Sequence, residues 1–416
     1  MIGWRDLRRE PFRVLFPLGA AFGCLGIGHW LVYALGWSQS YSGFFHASIQ
    51  VEAYLYCFIS GFLLTALPRF AGAPPAATAE LAGLLLLLTA QTLFLCLGRW
   101  ASAGLCHAGL LLLLAEFAGR RFLRRQAAAA PPPEFLWLPM AIGMGLVGGM
   151  LLMCGQAGWG PRWWIGVGRP MVQQGFALGA VLGVGGFLAP RLFGRPARAP
   201  AAPGVMPETV RRRLQWHGLA GLLFFATFWV EGAGAVGPAY LGRAAVATGE
   251  LWWTTQLLRP PATQDIYVRF LWVSLWLVLA GLWGAGLVPA ARVVMLHLVF
   301  LGGLSLMIFA IGTMVVLSHT GDAQALRGPL WIWRIVGWGV GAALAARVAA
   351  EWQPERYFLW LGLASSAWLV AGISWIVFAL PRVCRAADPD AFEQAHEAAK
   401  RDLLRTREGP CQSEQG

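Results

Sequence analysis

Long apolar stretches, each about the length of one membrane-crossing helix, alternate with short polar segments along most of the chain. A hydrocarbon core roughly 30 Å thick needs about 20 apolar residues per helix. Twelve stretches meet this requirement, and two of the junctions between them are short enough to predict tight hairpins. The predicted helices occupy residues 12–37, 44–68, 79–98, 101–119, 135–158, 170–190, 214–236, 239–258, 268–288, 292–317, 329–350 and 357–381.

Basic residues are distributed unevenly between the two sides that these helices define. Short loops on the cytoplasmic side of membrane proteins are enriched in Arg and Lys. If the N-terminus is cytoplasmic, most of the 32 basic residues fall on that side, and the opposite side holds Arg99, Arg162, Arg169, Arg243, Arg292, Arg347 and Arg356. The pattern predicts an all-α polytopic membrane protein with about 12 transmembrane helices and both termini in the cytoplasm.

The composition agrees with a membrane protein. Of the 416 residues, 57% are hydrophobic and 12% are charged, which is about half the charged share of a soluble domain. The basic residues lie between apolar stretches rather than on one face, so the net charge of +12 reflects membrane topology. We therefore expect a lipid bilayer as the surroundings, and we exclude a nucleic-acid partner, a soluble enzyme and a secreted disulfide scaffold.

A segment rich in Pro and Ala divides the predicted helices into two sets of six. We expect a first membrane half over residues 1–194 and a cytoplasmic linker over 195–210. A second membrane half follows over 211–382, and residues 383–416 form a cytoplasmic tail.

Histidines within the predicted helices are the first candidates for chemistry, because ionisable groups inside a bilayer are costly. Counting residues along the helices places four rings in the outer half: His29, His46, His107 and His297. His217 and His319 lie near the inner face. Since haem iron takes axial imidazoles from facing helices, His46 and His297 are the preferred pair, with His29 or His107 as substitutes. An interhelical hydrogen bond remains the ordinary alternative for each ring.

A few other polar residues are secondary candidates. Arg243 and Arg292 could hold haem propionates, although arginines at helix ends also extend to the interface without binding a ligand. Glu52 could take part in a proton path or make a simple hydrogen bond. Copper would need imidazole together with thioether or thiolate ligands, and no close His, Cys or Glu spacing predicts such a site. The sequence assigns no catalytic residue.

Two of the predicted helices carry motifs of a known family. The tenth contains His297 about five residues from its start, runs through Gly302-Gly303, and is followed by Ser318-His319-Thr320-Gly321. The second begins with Phe45-His46-Ala47 and ends in Gly61-Phe62-Leu63-Leu64-Thr65-Ala66-Leu67-Pro68. These stretches resemble the NnrS family, haem- and copper-containing bacterial membrane proteins associated with nitric oxide metabolism.

The resemblance implies haem b bound by His46 and His297, with His319 as a further metal ligand, in the bacterial inner membrane. It also implies a role in the nitric oxide response or in respiratory electron transfer. Ser48 and Ile49 replace a second histidine and a glutamate of the family motif. Met314 replaces an arginine, and Leu275 lies where a histidine is common. The copper ligand set is therefore incomplete.

These departures keep two other interpretations open. One is a cofactor-free accessory or structural subunit of a larger respiratory complex in the membrane, in which further membrane subunits would be the partners. The other is a transporter of a small solute, which Glu52 and the division into two sets of six helices would fit.

Overall fold

The computed structural model describes residues 2–125, 131–195 and 208–385, and within these ranges the chain is helical and contains no strand. Most of the linker and of the C-terminal tail lies outside the described residues. Among the described residues, a short helix, Trp4–Arg9, precedes twelve long helices. These are α1 Phe12–Ala34, α2 Gly43–Ala71, α3 Thr78–Cys96, α4 Trp100–Leu123, α5 Pro133–Gln156, α6 Trp163–Leu192, α7 Glu208–Gly232, α8 Val236–Thr255, α9 Ile266–Leu287, α10 Pro289–His319, α11 Trp331–Trp352 and α12 Pro354–Val383.

The count of twelve long helices agrees with the sequence, but the helices are not equally apolar. In the described part of the chain, ten of them are long and apolar enough to cross a membrane. The other two are α7 and α8, which carry charged and polar side chains along their length. The prediction of twelve apolar spans is therefore confirmed for ten helices, and α7 and α8 join the bundle as more polar members.

The two predicted hairpins are present, and each turns at a glycine. Gly98 lies between α3 and α4 with φ +67°, and Gly234 lies between α7 and α8 with φ +91°. Residues with a Cβ rarely adopt this backbone conformation, whereas glycine adopts it readily. Glycine therefore allows each pair of helices to reverse direction within a few residues.

Consecutive helices pack on one another, and α12 packs back against α1. The most apolar segment of α2 is 83% buried, compared with 28% for α3. Helix α2 is therefore central, while α3 presents most of its surface to the surroundings. Helices α2, α6 and α10 each contain π-helical turns, including Ile49–Leu55 in α2 and Leu298–Ser305 in α10.

We name the two ends of the bundle by the residues found there. The N-side contains Glu10 and the end of α10 at His319, which are in direct contact. The distal side contains the start of α2 and the end of α1, where the Ser42 backbone N–H donates to His29. Helices α2 and α10 both run from the distal side to the N-side, and the Tyr54–Ser305 hydrogen bond fixes their relative depth.

Candidate haem site

His46 and His297 lie near the distal ends of α2 and α10; His297 directly precedes the π-helical turn of α10, and His46 lies three residues before that of α2. Tyr54 and Ser305, each eight residues beyond the histidine of its own helix, are joined by a hydrogen bond of 2.8 Å between their hydroxyl groups. The two histidines therefore lie at matching depths on neighbouring helices. They are also near enough to interact electrostatically with each other.

The hydrogen bonds of both rings select the same tautomer. His46 Nδ1–H donates to the Gly26 carbonyl at 3.0 Å, and His297 Nδ1–H donates to the Val293 carbonyl at 2.7 Å. Within the described ranges, no hydrogen bond reaches Nε2 of either ring. A metal-binding histidine commonly donates one ring N–H to a carbonyl and presents the other nitrogen to the metal. Both rings therefore leave Nε2 available to accept a hydrogen bond or to bind a ligand.

The substitute histidines have different surroundings. His29 lies beside His46, and its Nε2 accepts the Ser42 N–H at 2.8 Å. His107 is buried, and its Nδ1 has no hydrogen-bond partner. It lines a separate cavity of about 20 Å³ together with Glu52 and Ser48, which is enough space for one water molecule. Their roles as substitute ligands stay predictions.

A buried arginine near His46 and His297 was treated in the sequence only as a marker of topology. Arg347, on α11, is 4% exposed and interacts electrostatically with both histidines. Its Nε and Nη1 atoms are buried without a hydrogen-bond partner. Its guanidinium carbon lies 5.7 Å from the centre of the Tyr357 ring. No sequence motif identifies this residue, because its isolation depends on how α10, α11 and α12 pack.

Arg243 and Arg292, the candidates for propionate binding, both bind the carboxylate of Glu231. Arg243 Nη2 lies 2.7 Å from Glu231, and Arg292 Nη1 lies 3.4 Å from it. Arg243 also donates to Thr227 and Gln174 and stacks on Phe228 and Tyr240. Their propionate role stays a prediction, and in this structure protein groups occupy the Arg243 donors.

His319 lies on the N-side, at the opposite end of α10 from His297, within a cluster of charged groups. Its Nδ1–H donates to Glu10 at 2.7 Å, and its Nε2 lies 3.0 Å from Arg69 Nη1. Glu10 also pairs with Arg13 at 2.6 Å and with Arg69 at 3.0 Å. Arg13 reaches the carbonyls of Val383 and Arg385, so the cluster joins the ends of α1, α2, α10 and α12.

The charges of this cluster change the pKa of Glu10, which precedes α1. Burial of the Glu10 carboxyl acts to raise its pKa. The hydrogen bond and charge of His319, together with the charge of Arg13, outweigh burial and lower the pKa of Glu10 from 4.5 to about 2. The carboxylate is therefore charged at neutral pH and holds the surrounding cations together.

A second buried pair is formed by His217 and Glu250, which connect α7 with α8. His217 Nδ1–H donates to Glu250 Oε2 at 2.8 Å, and the Trp137 indole donates to the same oxygen at 3.2 Å. His217 Nε2 and Glu250 Oε1 have no hydrogen-bond partner. This pair explains how two polar residues are tolerated within the bundle.

An apolar cavity of about 110 Å³ lies beyond Tyr54 and Ser305, towards the N-side. Its lining includes Leu55, Phe58, Leu304 and Met307, and the Met307 thioether is the one side chain of the lining that could ligate a metal ion. A small uncharged molecule could occupy it without losing hydrogen bonds.

The fold is that of a polytopic helical membrane protein, and it places His46 and His297 at the same side of the bundle. The family model described as "NnrS protein" matches residues 6–386. The chain belongs to the NnrS family. No curated protein matches the chain closely enough to count as a relative.

Proposed function

We propose that the protein is an NnrS-type membrane protein that binds haem b between His46 and His297. The observation that carries this proposal is the shared arrangement of the two rings, whose Nδ1–H groups are held by carbonyls while Nε2 remains unbonded. A fixed tautomer favours iron binding, because Nε2 of each histidine can bind the iron without first breaking a hydrogen bond.

The proposed setting is the inner membrane of a bacterium, in the nitric oxide response or in respiratory electron transfer. Family membership supports this setting. The apolar cavity beyond Tyr54 and Ser305 is compatible with a small uncharged gas close to the site. Bound haem would supply reversible one-electron chemistry, while His46 and His297 would hold the iron and the surrounding helices would limit access of water to it.

The proposed function does not include copper binding. Among the described residues, no group of three or more His, Cys, Asp and Glu side chains could hold a metal ion. Ser48 and Ile49 occupy the positions of two expected ligands in α2. Copper binding, including through His319, stays a prediction from family resemblance.

The test is to purify the full chain in detergent and to measure its iron content and Soret absorption. We expect one haem per chain in the wild type and loss of most haem in both His46→Ala and His297→Ala. His29→Ala, beside His46 but with a hydrogen-bonded Nε2, serves as the matched variant and should retain haem. A wild-type protein without iron or a Soret band would overturn the proposal.

A second candidate function is that of an accessory subunit without a cofactor. Large aromatic side chains are exposed at several helix ends, with Trp37 at 76%, Trp159 at 83% and Trp352 at 82%, and Trp338 within α11 is exposed at 80%. Such residues anchor a protein at the membrane interface, and they also form contacts between membrane subunits. Co-purification of a stable complex, together with the absence of haem from it, would favour this function.

A further inference from the structure

Arg347 differs from the other buried arginines that the structure describes. Arg13 pairs with Glu10, Arg121 pairs with Glu80, and Arg243 pairs with Glu231. Arg347 is equally buried, yet within the described ranges no carboxylate or other hydrogen-bond acceptor reaches it. Of these four buried arginines, Arg347 is therefore the one without an ion pair, and it lies on the distal side.

The acidic residue nearest to Arg347 in the sequence does not neutralise its charge. Glu351 lies one turn further along α11, at a spacing where helical ion pairs commonly form. It is exposed and makes no ion pair with Arg347 in the structure. Tyr357 offers its ring to the guanidinium at 5.7 Å, and such a contact compensates only part of the cost of burying a charge.

An unpaired buried arginine requires a physical explanation. A guanidinium cannot lose its proton in a protein, so burial cannot neutralise it. Removing an unpaired charge from water is costly unless an opposite charge accompanies it. The position therefore fits an anionic group that is supplied by a bound molecule. Because Arg347 is only five residues from the end of α11, that group would lie within roughly 8 Å of the helix end.

We infer that Arg347 binds a carboxylate of the ligand held by His46 and His297. This inference rests on the proposed function, under which the carboxylate is a haem propionate. Helix α11 packs directly against Arg292–His297, the segment that carries the ligand histidine. Arginine suits the role because its planar fork can donate two parallel hydrogen bonds to one carboxylate.

The decisive experiment compares two forms of the cofactor on the full-length protein in detergent. Apo-protein is titrated with haem and with haem dimethyl ester, in which both carboxylates are blocked. Loss of a charge-assisted hydrogen bond corresponds to about a tenfold or larger loss of affinity. We expect the wild type to bind the ester at least about tenfold more weakly than haem. Arg347→Gln should bind both forms with similar, weakened affinity.

A second readout is the reduction midpoint potential of the bound haem. A nearby positive charge stabilises the reduced, more negative iron, so Arg347→Gln should lower the potential. Arg347→Lys should retain part of the effect. Arg356→Gln and Glu351→Gln change exposed charges near the same end of the bundle and should leave both readouts unchanged.

The possible outcomes separate the two proposals. If the wild type binds no haem, the proposed function fails and this inference fails with it. If the wild type binds haem but does not distinguish it from the ester, haem binding stands and the role of Arg347 is overturned. Binding of the phosphate of a co-purified lipid at Arg347, with no effect of esterification, would also overturn it. The wild-type comparison remains decisive even if Arg347→Gln does not fold.

Discussion

Two regions of this bundle combine histidine with buried arginine, but only one of them is electrostatically complete. On the N-side, Glu10 binds Arg13, Arg69 and His319, and both ring nitrogens of His319 have partners. On the distal side, no carboxylate neutralises Arg347, and Nε2 of His46 and His297 has no hydrogen bond among the described residues. The first arrangement stabilises the protein, and the second is suited to receive a ligand.

This difference follows from the cost of burying polar groups. A satisfied cluster connects helix ends and needs nothing from outside, whereas an unsatisfied one carries an electrostatic penalty that a ligand can remove. Residue type alone does not distinguish the two cases. The distribution of hydrogen bonds does, because it shows which donors and acceptors remain available.

The largest expected effect separates His319 from His297. His319→Ala removes a hydrogen bond to buried Glu10, so it should lower the melting temperature while haem content is retained. His297→Ala should remove haem and have less effect on the N-side cluster. The measurements are the Soret absorbance and thermal unfolding of each purified variant. Loss of haem in both variants would mean that the two ends of α10 are not independent.

Much of this comparison could be predicted from the sequence. Helical rise alone placed His46 and His297 on one side and His319 on the other, since rises along helices vary little. The long helices followed from the hydrophobic pattern, and the tight hairpins followed from the short junctions between apolar stretches. The expected apolar spans are not found at α7 and α8, and the structure adds what the sequence does not show, that charged residues of these two helices meet in pairs such as Arg243 with Glu231.

The electrostatic state of each site could not be predicted in the same way. Arg347 has an acidic residue one turn away in sequence, yet the structure leaves this arginine unpaired. Glu10 attracted no attention as a polar residue before the first helix, yet it organises the N-side cluster. Both properties arise from contacts between helices that are distant in sequence, and no local pattern encodes them.

A smaller effect is expected from acid. The folded pKa of Glu10 is about 2, whereas its ordinary value is 4.5. A group with a lowered folded pKa stabilises the protein fully above its unfolded pKa and loses this contribution as the pH falls. Stability should therefore decrease between pH 4.5 and about 2 through the N-side cluster. Thermal unfolding across this range should show the decrease in the wild type and a weaker dependence in Glu10→Gln.

The smallest effect concerns the backbone that positions His46. Gly26 supplies the carbonyl that accepts the His46 Nδ1–H, and a Cβ at this position would lie 2.6 Å from Gln50 Nε2 and 2.8 Å from Ile49 Cγ2. Gly26→Ala should therefore separate α1 from α2 slightly, at a cost of about 1–3 kcal/mol in stability. The carbonyl would move with α1, so haem affinity should fall as well.

Gly28 provides a matched control for this last comparison, because it lies on the same helix and a Cβ there would meet no atom within 4 Å. Gly28→Ala should keep the haem affinity of the wild type and should not lower its melting temperature. Haem titration and thermal unfolding of both variants would test the distal site specifically. Equal behaviour of the two variants would show that close packing of α1 against α2 does not position His46, and the tautomer would then need another determinant.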